Sequence, residues 1–188
     1  MVKNRCGWVK VGDKIYEEYY DNEWGRPLHN DKALFELFSL ETQAAGLSWL
    51  TVLKKRDGYR KSFANFDLQR VADFTCKDEE CIIEEGLVIK SLPKIKAIIN
   101  NAKLFLHVKE EFGSIDNFLW SYVNHKPIVN HLESYKDGAT TSDISDTLTK
   151  DLKKRGFKFV GSVTIYAFMQ ACGMIHDHEK SCWLTKGK

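Results

Sequence analysis

The sequence predicts an all-α protein, a set of helices joined by short loops. Only three prolines interrupt 188 residues. Apolar residues recur at steps of three and four instead of alternating, which is the helical period. Capping residues stand before several of these periodic runs, and glycine can end the last of them. Nearly the whole chain therefore reads as helix and loop, without an internal repeat or a low-complexity segment.

The first unusual stretch is EEYYDNEWGRP, Glu17 to Pro27. It is too charged for a buried strand and too aromatic for an ordinary solvated loop. Tyr19, Tyr20 and Trp24 join a flat apolar face to a hydrogen-bonding group, while Glu17, Glu18, Asp21 and Glu23 are acceptors when ionised. Either a ring or two folds inward and the acids stay in water, or the rings serve a site. Next, Asn30 or Asp31 caps a helix whose apolar face runs Leu34, Leu37, Phe38, position 41 and Ala45, and position 41 is a glutamate. Ser48 caps a helix carrying Trp49, Val52 and Leu53, and KKRDGYRK (54–61) closes it and opens another. Short segments follow around LQRVADF (68–74) and EECIIEEG (79–86). Ser91 and Pro93 start a long central helix with Ile95, Ile98, Ile99, Ala102, Phe105 and Val108 facing the core. SIDNFLWSYVN (114–124) is a further helix, and the polar HLESYKDGATTSD (131–143) is a loop. The last signal, at about 143–173, is a helix, a six-residue connector and a second helix that Gly173 can terminate.

A chain of this length can form one substantial core, and a single compact unit over 1–188 with its end segments packed together is expected. Lys and Arg (28) nearly balance Asp and Glu (26), so affinity for nucleic acid must come from local placement of basic residues. The opening MVKNRCGWVKVG has no apolar core after its basic start, and no run reaches the roughly 20 apolar residues of a membrane span. A soluble, cytoplasmic protein without a membrane partner is expected. Five cysteines (Cys6, Cys76, Cys81, Cys172, Cys182) without a disulfide-framework spacing suit a reducing compartment. No heptad or long apolar edge suggests more than a monomer.

Three constellations could carry chemistry. In KKRGFKFVG (153–161), Gly156 and Gly161 bracket Phe157 and Phe159, so the connector can bend, bury rings and turn backbone N–H groups outward at a helix start. Lys153, Lys154, Arg155 and Lys158 would add charge to that edge; the alternative is a plain hairpin with a solvated basic rim. Glu41 sits on an apolar helix face, where an unpaired carboxylate costs several kcal/mol, so it must meet donors, take up a proton or face a cavity, unless it lies exposed at the edge of the face. With Trp49 nearby it would suit a flat cationic heterocycle. Finally, Cys6 near the start and His178 and Cys182 near the end could place three ligands on one zinc, with reduced thiols and surface histidines as the alternative.

The blocks RCGW, YYDNEWG, LETQAAGLSW, LWSYVNHKP, LKKRGFKFVG and FMQACG, in this order from about Cys6 to Cys182, resemble the Tag-type 3-methyladenine DNA glycosylase I family. The resemblance implies a helix-hairpin-helix fold, base excision repair, double-stranded alkylated DNA as partner, and hydrolysis of the N-glycosidic bond of a lesion base. It implies Glu41 as the catalytic pocket carboxylate, Trp49 as the stacking ring, Tyr19 as the pocket tyrosine, and Trp8 and Tyr16 as aromatics near the site. Gly46 and Leu47 of AAGL would form the wedge that fills the gap left by a flipped nucleotide, and Gly156, Lys158 and Gly161 the phosphate grip. The family resembles a branch lacking the catalytic aspartate of other such glycosylases, so Asp177 receives no role. No lysine is placed as a Schiff-base nucleophile, which implies a monofunctional enzyme. The competing reading is a non-catalytic module that recognises alkylated or distorted DNA; Glu41 with Tyr19 and Trp49 discriminates against it. A helical interaction protein with no nucleic-acid role is a third.

No organic cofactor is expected. The family's structural zinc has Cys, His, His and Cys ligands; Cys6, His178 and Cys182 match, while Tyr20 stands at the first histidine's position. Neutral tyrosine is a poor zinc ligand. The site is then three-coordinate with water, recruits His176, or is empty, with Tyr20 replacing the metal by packing and hydrogen bonding.

Overall fold

The computed structural model describes residues 3–185. Ten α-helices are present among them: α1 (Lys14–Asn22), α2 (Asp31–Ala44), α3 (Trp49–Leu53), α4 (Arg56–Ser62), α5 (Leu68–Ala72), α6 (Cys76–Glu85), α7 (Leu92–Phe112), α8 (Ile115–Ser121), α9 (Asp143–Arg155) and α10 (Ser162–Ala171). The caps follow the side chains. Asp13, Asn30, Ser48, Ser114 and Ser142 each accept a hydrogen bond from an otherwise orphaned first-turn N–H. The all-α reading holds, and the aromatic-acidic stretch that opened the question is the helix α1 and its exit.

The long helix α7 is the scaffold. Its residues Ile95, Ile98, Ile99, Ala102, Phe105 and Val108 are all buried. Around it, Phe38 of α2, Phe105 of α7, Phe157 of the hairpin connector and Phe168 of α10 meet edge-on. Ring centroids lie 5.0 Å apart for Phe38 and Phe105, 5.3 Å for Phe38 and Phe168, and 4.8 Å for Phe105 and Phe157. One aromatic cluster thus locks the hairpin to α2; truncating a buried Phe of this kind costs about 3–5 kcal/mol.

A smaller cluster gathers the chain ends. Cys6, Val9, Tyr19, Tyr20, Trp24 and Cys182 are buried together, with Trp8, Tyr16, Trp49 and Trp183 packed on them. Trp183 N–H donates to the Asn4 carbonyl, and Asp21 binds Lys3 and Arg5, whose guanidinium holds the Asp21 carboxyl down at about 2. The helical periodicity gave no sign of one feature: a two-stranded parallel sheet, β1 (Ile128–Val129) with β2 (Ile175–His176), in register Ile128 to Ile175. Two residues are too few to register as an alternating pattern. At Gly173, with φ +77°, a Cβ would fall 2.4 Å from the Arg26 carbonyl carbon, so only glycine lets the chain after α1 cross there. No helix among the described residues is long and apolar enough to cross a membrane.

Candidate active site

The C-terminal half of α2 delivers Glu41 into the wall of a cavity of about 290 Å³. Glu41 is 8% exposed and makes no hydrogen bond or ion pair with any described residue. Burial alone pushes its carboxyl up to about 8. Around it stand Tyr19 and Tyr16 from α1, Trp49 from the start of α3, Trp8 from the N-terminal segment, and Trp24. All five residues expected at a base pocket (Glu41, Tyr19, Trp49, Trp8, Tyr16) line this one cavity. The Tyr19 and Trp49 rings lie 5.2 Å apart at 47°, and Trp8 meets Tyr16 at 5.6 Å and Trp24 at 4.8 Å, both edge-on. The Tyr19 hydroxyl and the Trp49 indole N–H are shielded from solvent yet have no partner in the protein. Each such orphan costs about 1–3 kcal/mol unless water or a ligand in the cavity meets it. Burial first, then the Glu41 charge, raises the Tyr19 and Tyr16 phenols above their ordinary value.

Three further groups were not legible beforehand. Asp177, buried, also lines the cavity: its Oδ1 accepts from Asn130 (2.6 Å), and its Oδ2 from Tyr166 (2.8 Å) and Gln170 (2.7 Å). The 131–143 loop is not a free surface loop, since Leu132, Tyr135 and Thr140 close one side of the cavity. Glu179 pins it there, its Oε1 accepting from the Tyr135 N–H and the Gly7 N–H. Lys94 of α7 is the third: its buried ammonium donates to the carbonyls of Gln43 (2.7 Å) and Ala45 (2.8 Å) at the end of α2. Only the proximity of α7 to that helix end, a tertiary fact, could have singled out this lysine.

Directly beyond Ala45, Gly46 has φ +76° with open space around it, and Leu47 projects 45% exposed at the rim before Trp49. The hairpin connector between α9 and α10 is held by α7: Asn101 Oδ1 accepts from Lys158 N–H and Asn101 Nδ2 donates to Lys158 O, while Asn100 donates to Gly156 O. Gly156 ends α9 at φ +96°, and Gly161 opens α10 with nothing within 4 Å of a built Cβ. The same helix α10 sends Ala167 and Gln170 into the cavity wall. At about 1.5 Å rise per residue they lie roughly 9 to 14 Å along its axis from Gly161. Lys153, Lys154 and Lys158 are exposed on this edge. Arg155, expected to add charge there, does not: its guanidinium binds Glu111 and Asp151 and covers Phe112 and Phe118.

Cys6, His178 and Cys182 do converge, their ligand atoms within 4.8 Å of one another, and His176 is not among them. The Tyr20 hydroxyl, however, stands 2.9 Å from Cys6 Sγ, 2.9 Å from His178 Nδ1 and 3.0 Å from Cys182 Sγ. Zinc bonded to all three would need about 2.0 to 2.3 Å to each and would overlap that oxygen. The donor set present does not fit the ion.

The methyladenine glycosylase family model matches residues 8–185. The chain belongs to this family. It is 47% identical over 183 residues to DNA-3-methyladenine glycosylase 1 of Escherichia coli, covering 97% of both chains. To DNA-3-methyladenine glycosylase of Haemophilus influenzae it is 44% identical, covering 95% of this chain and 96% of that protein. A tyrosine-to-phenylalanine variant of a 3-methyladenine DNA glycosylase I, solved in complex with 3-methyladenine, superposes with TM-score 0.93 at 40% identity over 98% of each chain. Family membership agrees with the helical fold and with the resemblance drawn from the motif blocks.

Proposed function

We infer that this chain is a monofunctional DNA glycosylase of base excision repair that releases 3-methyladenine from alkylated double-stranded DNA. The observation that carries the reading is an unpaired carboxyl, Glu41, buried in an aromatic cavity of about 290 Å³, room enough for a planar base. A binding module has no use for such a costly group. Methylation at N3 makes the adenine of DNA cationic and a good leaving group, so strong protonation by the enzyme is unnecessary. Trp49 and Tyr19 supply aromatic faces to that cation, and Glu41, protonated while the cavity is empty, ionises against it. Neutral adenine does not draw that charge out, so discrimination is electrostatic as well as steric. The glycosidic bond breaks with its electron pair passing to the base, an oxocarbenium ion develops on the sugar, and water adds at that carbon and gives up a proton. The products are the free base and an abasic site. No step passes through a metal.

On the DNA side, Leu47 would enter the gap left by the flipped nucleotide, with Gly46 allowing the turn that presents it. The amides from Lys158 to Gly161, with the lysines beside them, would hold a backbone phosphate at the α10 N-terminus. The whole chain would act as one catalytic unit. The test is base release from methylated duplex DNA: 3-methyladenine released in preference to 7-methylguanine supports the reading, and no covalent adduct should be trapped with borohydride. Binding without release would leave a recognition module.

A further inference from the structure

We propose that the Tyr20 hydroxyl performs in this chain the joining role of a metal ion among Cys6, His178 and Cys182, and that it thereby positions the tryptophan wall of the base cavity. The oxygen lies at nearly equal distance from all three donor atoms, 2.9, 2.9 and 3.0 Å. It also accepts from the Cys6 backbone N–H at 3.2 Å. The sulfurs are satisfied in turn by main-chain donors, Glu179 N–H to Cys6 Sγ at 3.2 Å and Leu184 N–H to Cys182 Sγ at 3.4 Å. Tyr20 is 0% exposed. One side chain of α1 therefore ties together the first and last segments of the fold, and Cys6 Sγ, Cys182 Sγ and His178 Nδ1 each have a partner there.

The link to the cavity runs through rings. Tyr20 stacks on Trp24, centroids 5.6 Å apart at 17°, and meets Trp8 edge-on at 5.2 Å. His178 packs perpendicular to Trp24 with centroids 4.8 Å apart, in a space that exists because residue 25 is glycine: a Cβ there would lie 2.5 Å from His178 Nε2. Trp8 and Trp24 both line the cavity that holds Glu41. Without the hydroxyl, three buried polar atoms lose their common partner, and the segments carrying Trp8 and His178 lose their shared buried link to α1, leaving the more exposed Lys3 and Arg5 pairs with Asp21 to hold the N-terminal segment. Tyr20 is a positioning residue: it touches no substrate.

The test compares the wild type, Tyr20→Phe and Tyr20→His, each prepared in metal-free buffer with and without added zinc. Four readouts are taken: zinc per chain by mass spectrometry, the unfolding midpoint with and without chelator, the Kd for free 3-methyladenine from tryptophan fluorescence, and KM and kcat for base release from methylated duplex DNA. The wild type should hold no zinc and be indifferent to chelator. Tyr20→Phe should unfold earlier and bind the base about tenfold more weakly, with KM rising more than kcat falls. Tyr20→His should behave like Tyr20→Phe without zinc, take up one zinc per chain, and regain midpoint and affinity until chelator is added. Stoichiometric zinc in the wild type overturns the proposal, as does a Tyr20→Phe protein equal to the wild type, or a Tyr20→His protein that zinc does not change. The base-binding arm rests on the glycosylase reading; zinc content and midpoint do not, so the two can fail separately.

Discussion

Replacing Glu41 by glutamine should stabilise the free protein at neutral and alkaline pH while sharply slowing base release. The carboxyl titrates at about 8 in the folded chain against an ordinary value of 4.5. Between those values the native state keeps a proton that the unfolded chain has already released, so stability falls as pH rises through the window. The slope is about 1.4 kcal/mol per pH unit, and the whole gap is worth about 5 kcal/mol. Water reaching the cavity screens part of this, which makes about 2 to 5 kcal/mol the expected range. Urea unfolding of wild type and Glu41→Gln at about pH 5, 6.5 and 8 isolates the effect, because glutamine does not titrate and all other groups cancel in the difference. The variant should gain on the wild type at each step of increasing pH. A difference that stays constant across the three pH values would refute the argument that Glu41 is buried and unpaired.

Other substitutions separate folding from function. Lys94→Met removes the donor to the Gln43 and Ala45 carbonyls; it should cost about 1 to 3 kcal/mol and slow release from duplex DNA more than it weakens binding of free base. A greater loss on free base than on duplex would contradict the view that Lys94 acts by holding the end of α2 from which Gly46 and Leu47 project. Gly161→Ala has room for its methyl within the fold, so its unfolding midpoint should match the wild type, while DNA affinity drops if a phosphate approaches there. Lys158→Ala should lower the salt slope of DNA binding by about 1, and an unchanged slope would remove Lys158 from the phosphate contact. Asp177→Asn turns an amide nitrogen toward one of three donors and should cost about 2 to 3 kcal/mol in denaturant unfolding.

Much of this architecture is written locally. The caps at Asn30 and Ser48 and the apolar stripe of α7 depend on neighbours within a few residues, and the structure has them where the spacing predicts. Glu41 was conspicuous because a carboxylate on the face carrying Leu34 and Phe38 contradicts its surroundings. What could not be read are contacts closed by tertiary packing. Lys94 is an ordinary lysine until α7 brings it to the end of α2. Asp177 is an unremarkable acid until Tyr166, Gln170 and Asn130 converge on it. The 131–143 segment is polar enough to be a loop, and only Glu179 shows why it stays folded over the cavity. Arg155 misled for a related reason: a basic residue at a helix C-terminus reads as surface charge, while Glu111 and Asp151 are distant or unmarked in sequence. Tyr20 was visible as an anomaly, but only the three near-equal distances reveal what its hydroxyl does.

The most direct test of the central claim is base release from methylated duplex DNA by wild type and Glu41→Gln side by side at neutral pH. The account predicts that the wild type frees 3-methyladenine in preference to 7-methylguanine and that Glu41→Gln, folded and at least as stable, is slowed by about a hundredfold or more, the scale of a lost transition-state electrostatic contact. Equal release by both proteins would contradict it.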